Sequence, residues 1–175
     1  MIKLDKIIGN IKTDHNLKSM HEEMVKLGKM ETVTFGRMES ERTRIRKVSN
    51  KGTDLVLILN EGSRIRDGDV LFLMQEKMIV IQIVPEPVAI IQIHKILIRD
   101  QMIRTSVTIG HALGNLHRPL KIEGDTITFP IQDPNELTLF EKLLSPLKEH
   151  IEVRSDNIVF ELSLIHISEP TRQAE

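Results

Sequence analysis

The sequence predicts an α+β protein in two parts: a small all-β N-terminal domain over 1–84, then a C-terminal domain over 85–161 in the order β-α-β-β-α-β. Three observations carry that expectation. In the first half, short apolar runs and period-two alternation are cut by turn signals such as Asn50-Lys-Gly52 and Asp67-Gly68. At Val84-Pro-Glu-Pro87, two prolines stiffen the chain and limit ladder bonding, which places the junction. Beyond it, helical and strand periods alternate.

In the first half, Ile7-Ile8-Gly9-Asn10 opens with a strand and a turn, and the polar stretch from His15 to Lys29 is open to either a loop or a short helix. In Glu41-Arg-Thr-Arg-Ile-Arg-Lys-Val48, the residues Arg42, Arg44 and Arg46 alternate with Thr43, Ile45 and Lys47, which puts three guanidinium groups on one strand face. Strands are expected at Asp54–Leu59, Val70–Met74 and Met78–Val84, with a tight turn at Arg66–Asp69 because Asp-Gly adopts positive φ cheaply.

In the second half, Val88–Ile93 is a strand and Asp100 can cap a helix reaching Asn115. Leu120–Glu123 and Thr126–Ile131 form a hairpin around Gly124-Asp125. Pro134 suits the first turn of a helix that ends near Leu147, with a break at Pro146. A last strand, Ile151–Phe160, is expected to be interrupted at Ser155-Asp-Asn157. This order is that of a ferredoxin-like split βαβ domain. On the first helix of this half, Met102, Ser106, Ile109, Leu113 and Leu116 form the stripe that should pack on the sheet. A second stripe, Ile103, Val107, Gly110 and Gly114, asks for another helix, supplied by a second copy in a homodimer or by the β module.

Composition removes several functions. Twenty-four Lys+Arg against 25 Asp+Glu leave a net charge of -1, so no global field draws in nucleic acid or anionic membrane. No Cys means no disulfide, thiolate zinc site or cysteine nucleophile. With five Phe and no Trp or Tyr, base-stacking platforms are not expected. There is no signal-peptide core and no run of about 18 apolar residues, so a cytoplasmic protein is expected. No Walker loop, nucleophile elbow or paired-carboxylate motif argues for an enzyme. The tail from Leu162-Ser-Leu-Ile-His-Ile to Glu175 looks like a translated sequencing-library adapter, so neither it nor His166 counts toward the fold or the site.

The candidate ligands are histidines. Gly110-His-Ala-Leu-Gly-Asn-Leu-His117-Arg-Pro119 runs a helix into Gly114-Asn115, residues that readily take the left-handed conformation closing a helix, and sets His117 at the turn toward the next strand. In the expected topology Asp133 lies at the same sheet edge as His117, while His94 and His150 share the opposite edge and form a weaker second pair. His111 faces away from the sheet. Imidazole suits nickel, copper and zinc better than magnesium or calcium, and two-fold symmetry could complete a site that one chain leaves half-filled.

The chain resembles the UreE family. The likeness is carried by Ile7-x-Gly-Asn10, the Arg42-x-Arg-x-Arg46 strand, the turn at Gly52, Leu59-x-x-Gly-x-x-Ile-Arg66-Asp-Gly-Asp-Val-Leu71, Pro85-Glu-x-Val88 and Leu113-Gly-Asn-x-His117-x-Pro-Leu120. The resemblance implies a partner- or peptide-binding N-terminal domain and a metal-binding, dimerising C-terminal one. It implies a nickel metallochaperone that binds Ni(2+) at the interface His117 and delivers it to apo-urease with an accessory GTPase; Zn(2+) or Cu(2+) would also fit such ligands. Leu116 stands where the family usually has Arg, and Ile131 and Asp133 stand where some members carry further histidines. Two other readings compete: an RNA- or ribosome-associated module using Arg42, Arg44 and Arg46 on phosphate, and a structural dimer in which His117 is only a helix cap.

Overall fold

The computed structural model describes residues 1–161 apart from Leu116 and Pro134, and the adapter-like tail lies outside the described residues. The chain divides into two units, Met1–Pro85 and one beginning at Glu86.

The first unit holds β1 (Ile2–Leu4), β2 (Gly9–Asn10), α1 (His15–Lys26), β3 (Met30–Phe35), α2 (Arg37–Ser40), β4 (Arg44–Val48), β5 (Asp54–Ile58), β6 (Asp69–Met74) and β7 (Lys77–Ile83). Two sheets result, ordered β1-β5-β4 and β2-β6-β7-β3. The β1–β5 and β3–β7 pairs are parallel. The expected all-β domain is therefore corrected: α1 is a twelve-residue helix. Asp14 starts it, its carboxylate accepting from the amides of Asn16 and Leu17. Leu17 and Met24, seven residues apart on one face, are buried against Val70, Met78 and Val80. The opposite face of the larger sheet is also dry, with Val33, Phe35, Ile79, Ile81 and Ile83 all buried. Both faces being covered explains why β7 is apolar without alternation from Met78 to Ile81.

Side chains tie the two sheets. Glu31 on β3 is 5% exposed. It accepts from Ser49 Oγ and pairs with Lys77 Nζ at 2.8 Å. Lys77 also donates to Thr53 Oγ1. Burial pushes the Glu31 carboxyl up, but the hydrogen bonds from Lys77, Ser49 and Thr53 outweigh it and bring it down to about 2. Lys47 pairs with Glu39 at 2.7 Å and lies over the Phe35 ring.

The second unit holds β8 (Glu86–Ile93), α3 (Arg99–Gly114), β9 (Lys121–Glu123), β10 (Thr126–Pro130), α4 (Glu136–Leu143), a 3-10 turn at Ser145–Leu147 and β11 (Ile151–Ile158). Its sheet runs β11-β8-β10-β9, and each pair is antiparallel. Ala89, Ile91 and Ile93 of β8 pack with Ile109 and Leu113 of α3 and Phe140 of α4 in one buried cluster. Phe129 and Phe140 meet edge to face at 4.7 Å. The β9–β10 hairpin turns at Gly124, where φ is 61°.

Three local expectations are corrected. β11 is unbroken, because Ser155, Asp156 and Asn157 stay in register with Ala89, Val88 and Pro87. The cap of α3 is Ile98, not Asp100, which lies in the first turn where its charge complements the helix dipole. The buried stripe of α3 uses Thr105 in place of the exposed Ser106, since Thr105 bonds His150. Leu116 of that stripe, and Pro134, lie outside the described residues. No helix among the described residues is long and apolar enough to cross a membrane.

Candidate metal centre

His117 sits where α3 hands over to the strand hairpin. Thr105, Ile109 and Leu113 anchor the helix on the sheet, and Asn115 closes it in right-handed geometry, its amide reaching the carbonyls of His111 and Leu113. The expectation that Gly114 or Asn115 takes the left-handed conformation is corrected. Gly114 is still helical, and the left-handed residue is His117 itself, with φ 49° and its amide on the Gly114 carbonyl at 3.1 Å. Histidine is among the residues that tolerate this region. His117 is exposed.

Arg118 fastens the next step of the chain. Its Nη1 donates to the Pro130 carbonyl at 2.8 Å, its Nη2 pairs with Glu136 at 2.9 Å, and its guanidinium lies 5.8 Å from the Phe140 ring centre. The turn bearing His117 is thereby tied to the β10–α4 connection, which carries Asp133. Asp133 itself is engaged locally at the start of α4, where its carboxylate accepts from the Asn135 amide at 2.7 Å and its carbonyl accepts from the Glu136 amide.

The other histidines fall elsewhere. His111 is exposed on the last turn of α3, with Nε2 3.5 Å from Asn115 Nδ2. His94 and His150 are brought together through the main chain, the His94 amide donating to the His150 carbonyl at 2.9 Å. Their rings are engaged separately: His94 Nδ1 donates to the Glu149 carbonyl, and His150 Nδ1 lies 3.1 Å from Thr105 Oγ1. Among the described residues, no group of three or more His, Asp or Glu is placed to hold a metal ion. Within the chain, His117 stands as an exposed imidazole outside any such group.

Arg44 and Arg46 project from the open face of β4, while Arg42 precedes the strand; all three are exposed. Arg46 makes a two-pronged pair with Asp54, which holds that carboxyl below its usual range. Arg44 stands opposite Ile58, and Arg46 opposite Val56. Val48 and Ile58 on this face are 59% and 45% exposed.

Sequence reasoning missed Thr105, Arg118 and Glu136. Arg118 could have been flagged from its place between His117 and Pro119, but its partners come from elements with no local signal.

Comparison with known proteins bears on both units. Residues 4–84 match the family described as UreE urease accessory protein, N-terminal domain. "Urease accessory protein UreE 1" of Pseudomonas syringae pv. tomato is 27% identical over 149 residues, covering 85% of this chain and 96% of that protein. "Urease accessory protein UreE" of Yersinia enterocolitica is 31% identical over 136 residues, covering 75% of this chain and 57% of the relative. The Yersinia pestis protein of the same name is 33% identical over 121 residues, 67% of this chain and 51% of its own length. A match of 149 residues exceeds the first unit and extends into the second. The first unit is thus a domain of the urease accessory class. The chain belongs to the UreE family.

Proposed function

We propose that this chain is a nickel metallochaperone of urease maturation, a binding and delivery protein without a reaction of its own. In this reading it works in the cytoplasm as a homodimer, receives Ni(2+) at a site shared between two copies of His117, and passes it to apo-urease in concert with the accessory GTPase. The observation that carries it is the exposed, left-handed His117 at the end of α3 in a chain of the UreE family. The βαββαβ order and the sheet order of the second unit support its assignment as a ferredoxin-like domain. Ile103 and Val107 on α3 are 50% and 65% exposed, and a Cβ at Gly110 or Gly114 would meet nothing within 4 Å. That apolar stripe suits the same helix of a second copy. An exposed site shared between copies suits release as well as capture, and imidazole alone leaves zinc and copper as competitors. Asp133 is the local candidate for an accessory ligand, with His111, His94 and His150 as weaker ones.

Calorimetric titration of nickel into the wild type should give about one ion per dimer, and His117→Ala should lose most of the binding. Undiminished nickel affinity in His117→Ala would sink the assignment. Val107→Glu should dissociate the dimer in sedimentation runs and weaken nickel binding with it.

The open face of β4 and β5 supports a second role for the first unit, the docking of an acidic, partly apolar segment of the urease machinery. Lys3 pairs in register with Val56 and extends the basic rim around Val48, Val56 and Ile58. The apolar centre, with no aromatic residue for stacking, favours a protein over RNA. Reversing Arg42, Arg44 and Arg46 to Glu should weaken association with the accessory GTPase at low salt and leave nickel binding intact. Salt-sensitive binding to RNA by the wild type would favour the RNA reading instead.

A further inference from the structure

We propose that Arg118 is a positioning residue that holds His117 in its left-handed conformation and so preorganises the imidazole for metal; this rests on the assignment of His117 as ligand. Among the described residues, His117 is the one residue other than glycine with positive φ. Its ring has no hydrogen-bond or ionic partner among them that would account for the conformation. The constraint comes from the main chain on either side. Upstream, the His117 amide is spent on the Gly114 carbonyl. Downstream, Arg118 reaches three separate groups: the Pro130 carbonyl at the end of β10, Glu136 in the first turn of α4, and the face of Phe140 in the core. Phe140 is 1% exposed, so the guanidinium is braced against a part of the fold that does not yield.

The clamp has reason to stay shut. Glu136 Oε2 is buried and has no hydrogen-bond partner besides this ion pair. Opening the pair would leave that oxygen without a partner in a half-buried side chain. The planar fork of arginine can serve a carbonyl and a carboxylate together, which an ammonium does less well. Pro119 then keeps Arg118 out of helical geometry, so the turn cannot slide back into α3. A ligand fixed in this way loses little freedom on binding, and groups that orient a metal ligand typically contribute about tenfold to a hundredfold in affinity.

The test uses the full chain in two states. Without metal, NMR Cα and Cβ shifts and the amide–Hα coupling of His117 report its φ in the wild type and in R118M. R118M is expected to move these values toward a right-handed or extended average while the Ile91 and Ile109 signals of the core stay in place. With nickel, R118M should bind about tenfold to a hundredfold more weakly while remaining dimeric. R118K should shift both readouts in the same direction by less, and it serves as the variant should R118M unfold the second unit. Wild-type shifts and wild-type affinity in R118M or R118K would overturn the proposal. Lost binding in His117→Ala with none lost in R118M would overturn the positioning role and leave the ligand assignment standing. Unchanged binding in His117→Ala would overturn the ligand assignment, and the metal-free φ readout would still decide whether Arg118 sets the turn.

Discussion

In the first unit, charged and polar side chains tie the elements together: Glu31 of one sheet reaches Ser49 beside the other and pairs with Lys77 on the neighbouring strand, Lys47 pairs with Glu39 of α2, and Lys12 pairs with Asp67. In the second, helices lie on one sheet through a continuous cluster of Ile, Leu, Val and Phe, and a half-buried ion pair, Arg118 to Glu136, sits beside the candidate ligand. The difference shows where each unit is specified. Hydrocarbon packing tolerates changes of pH and salt but punishes lost volume. Buried ion pairs tolerate little change of protonation.

The largest effect should come from Phe140→Ala, which removes a buried aromatic from the second unit and the brace under Arg118. A loss of about 3–5 kcal/mol is expected, read by chemical denaturation of the full chain. Amide exchange should rise in β8, β10 and β11 and hold steady in β3 and β7. Equal loosening of both units would dissolve the contrast between them.

Acid should do the reverse. The Glu31 carboxyl ordinarily titrates near 4.5 and is held at about 2 in the fold, so its stabilisation is complete above 4.5 and disappears as pH falls toward 2. The loss is on the order of 2–3 kcal/mol. Exchange in β3 and β7 should quicken across that window ahead of exchange in β8, and Glu31→Gln should flatten the response.

A smaller effect is expected from Asp14→Ala, which removes the cap of α1 and should cost about 1 kcal/mol, visible as faster exchange confined to that helix. Arg46→Gln marks the floor of the series. The pair with Asp54 is exposed and screened by solvent, so the melting midpoint should not move.

Legibility followed the range of the signal. The period-two run Arg44–Val48 forms β4, and the hairpin at Gly124-Asp125 and the break at Pro146 fall where the residues imply. α1 escaped because its buried face is carried by Leu17 and Met24 among polar neighbours, too thin a stripe to separate helix from loop. β3 escaped because Glu31 interrupts its apolar side, and that glutamate is tolerable there only because Lys77 comes from a strand more than forty residues on. At the candidate site, His117 is legible as the residue at a helix stop, whereas intrinsic preference points the left-handed conformation at the more permissive Gly114 and Asn115.

Local chemistry was therefore enough to set the turns, most of the strands and the place of His117 along the chain, because glycine, proline and hydrophobic period act over a few residues. The parallel pairs β1–β5 and β3–β7, the depressed Glu31 carboxyl and the clamp of Arg118 on Pro130, Glu136 and Phe140 were decided by the folded chain. Each depends on groups far apart in sequence meeting where water is excluded, and there burial and pairing outweigh the preferences of any single residue.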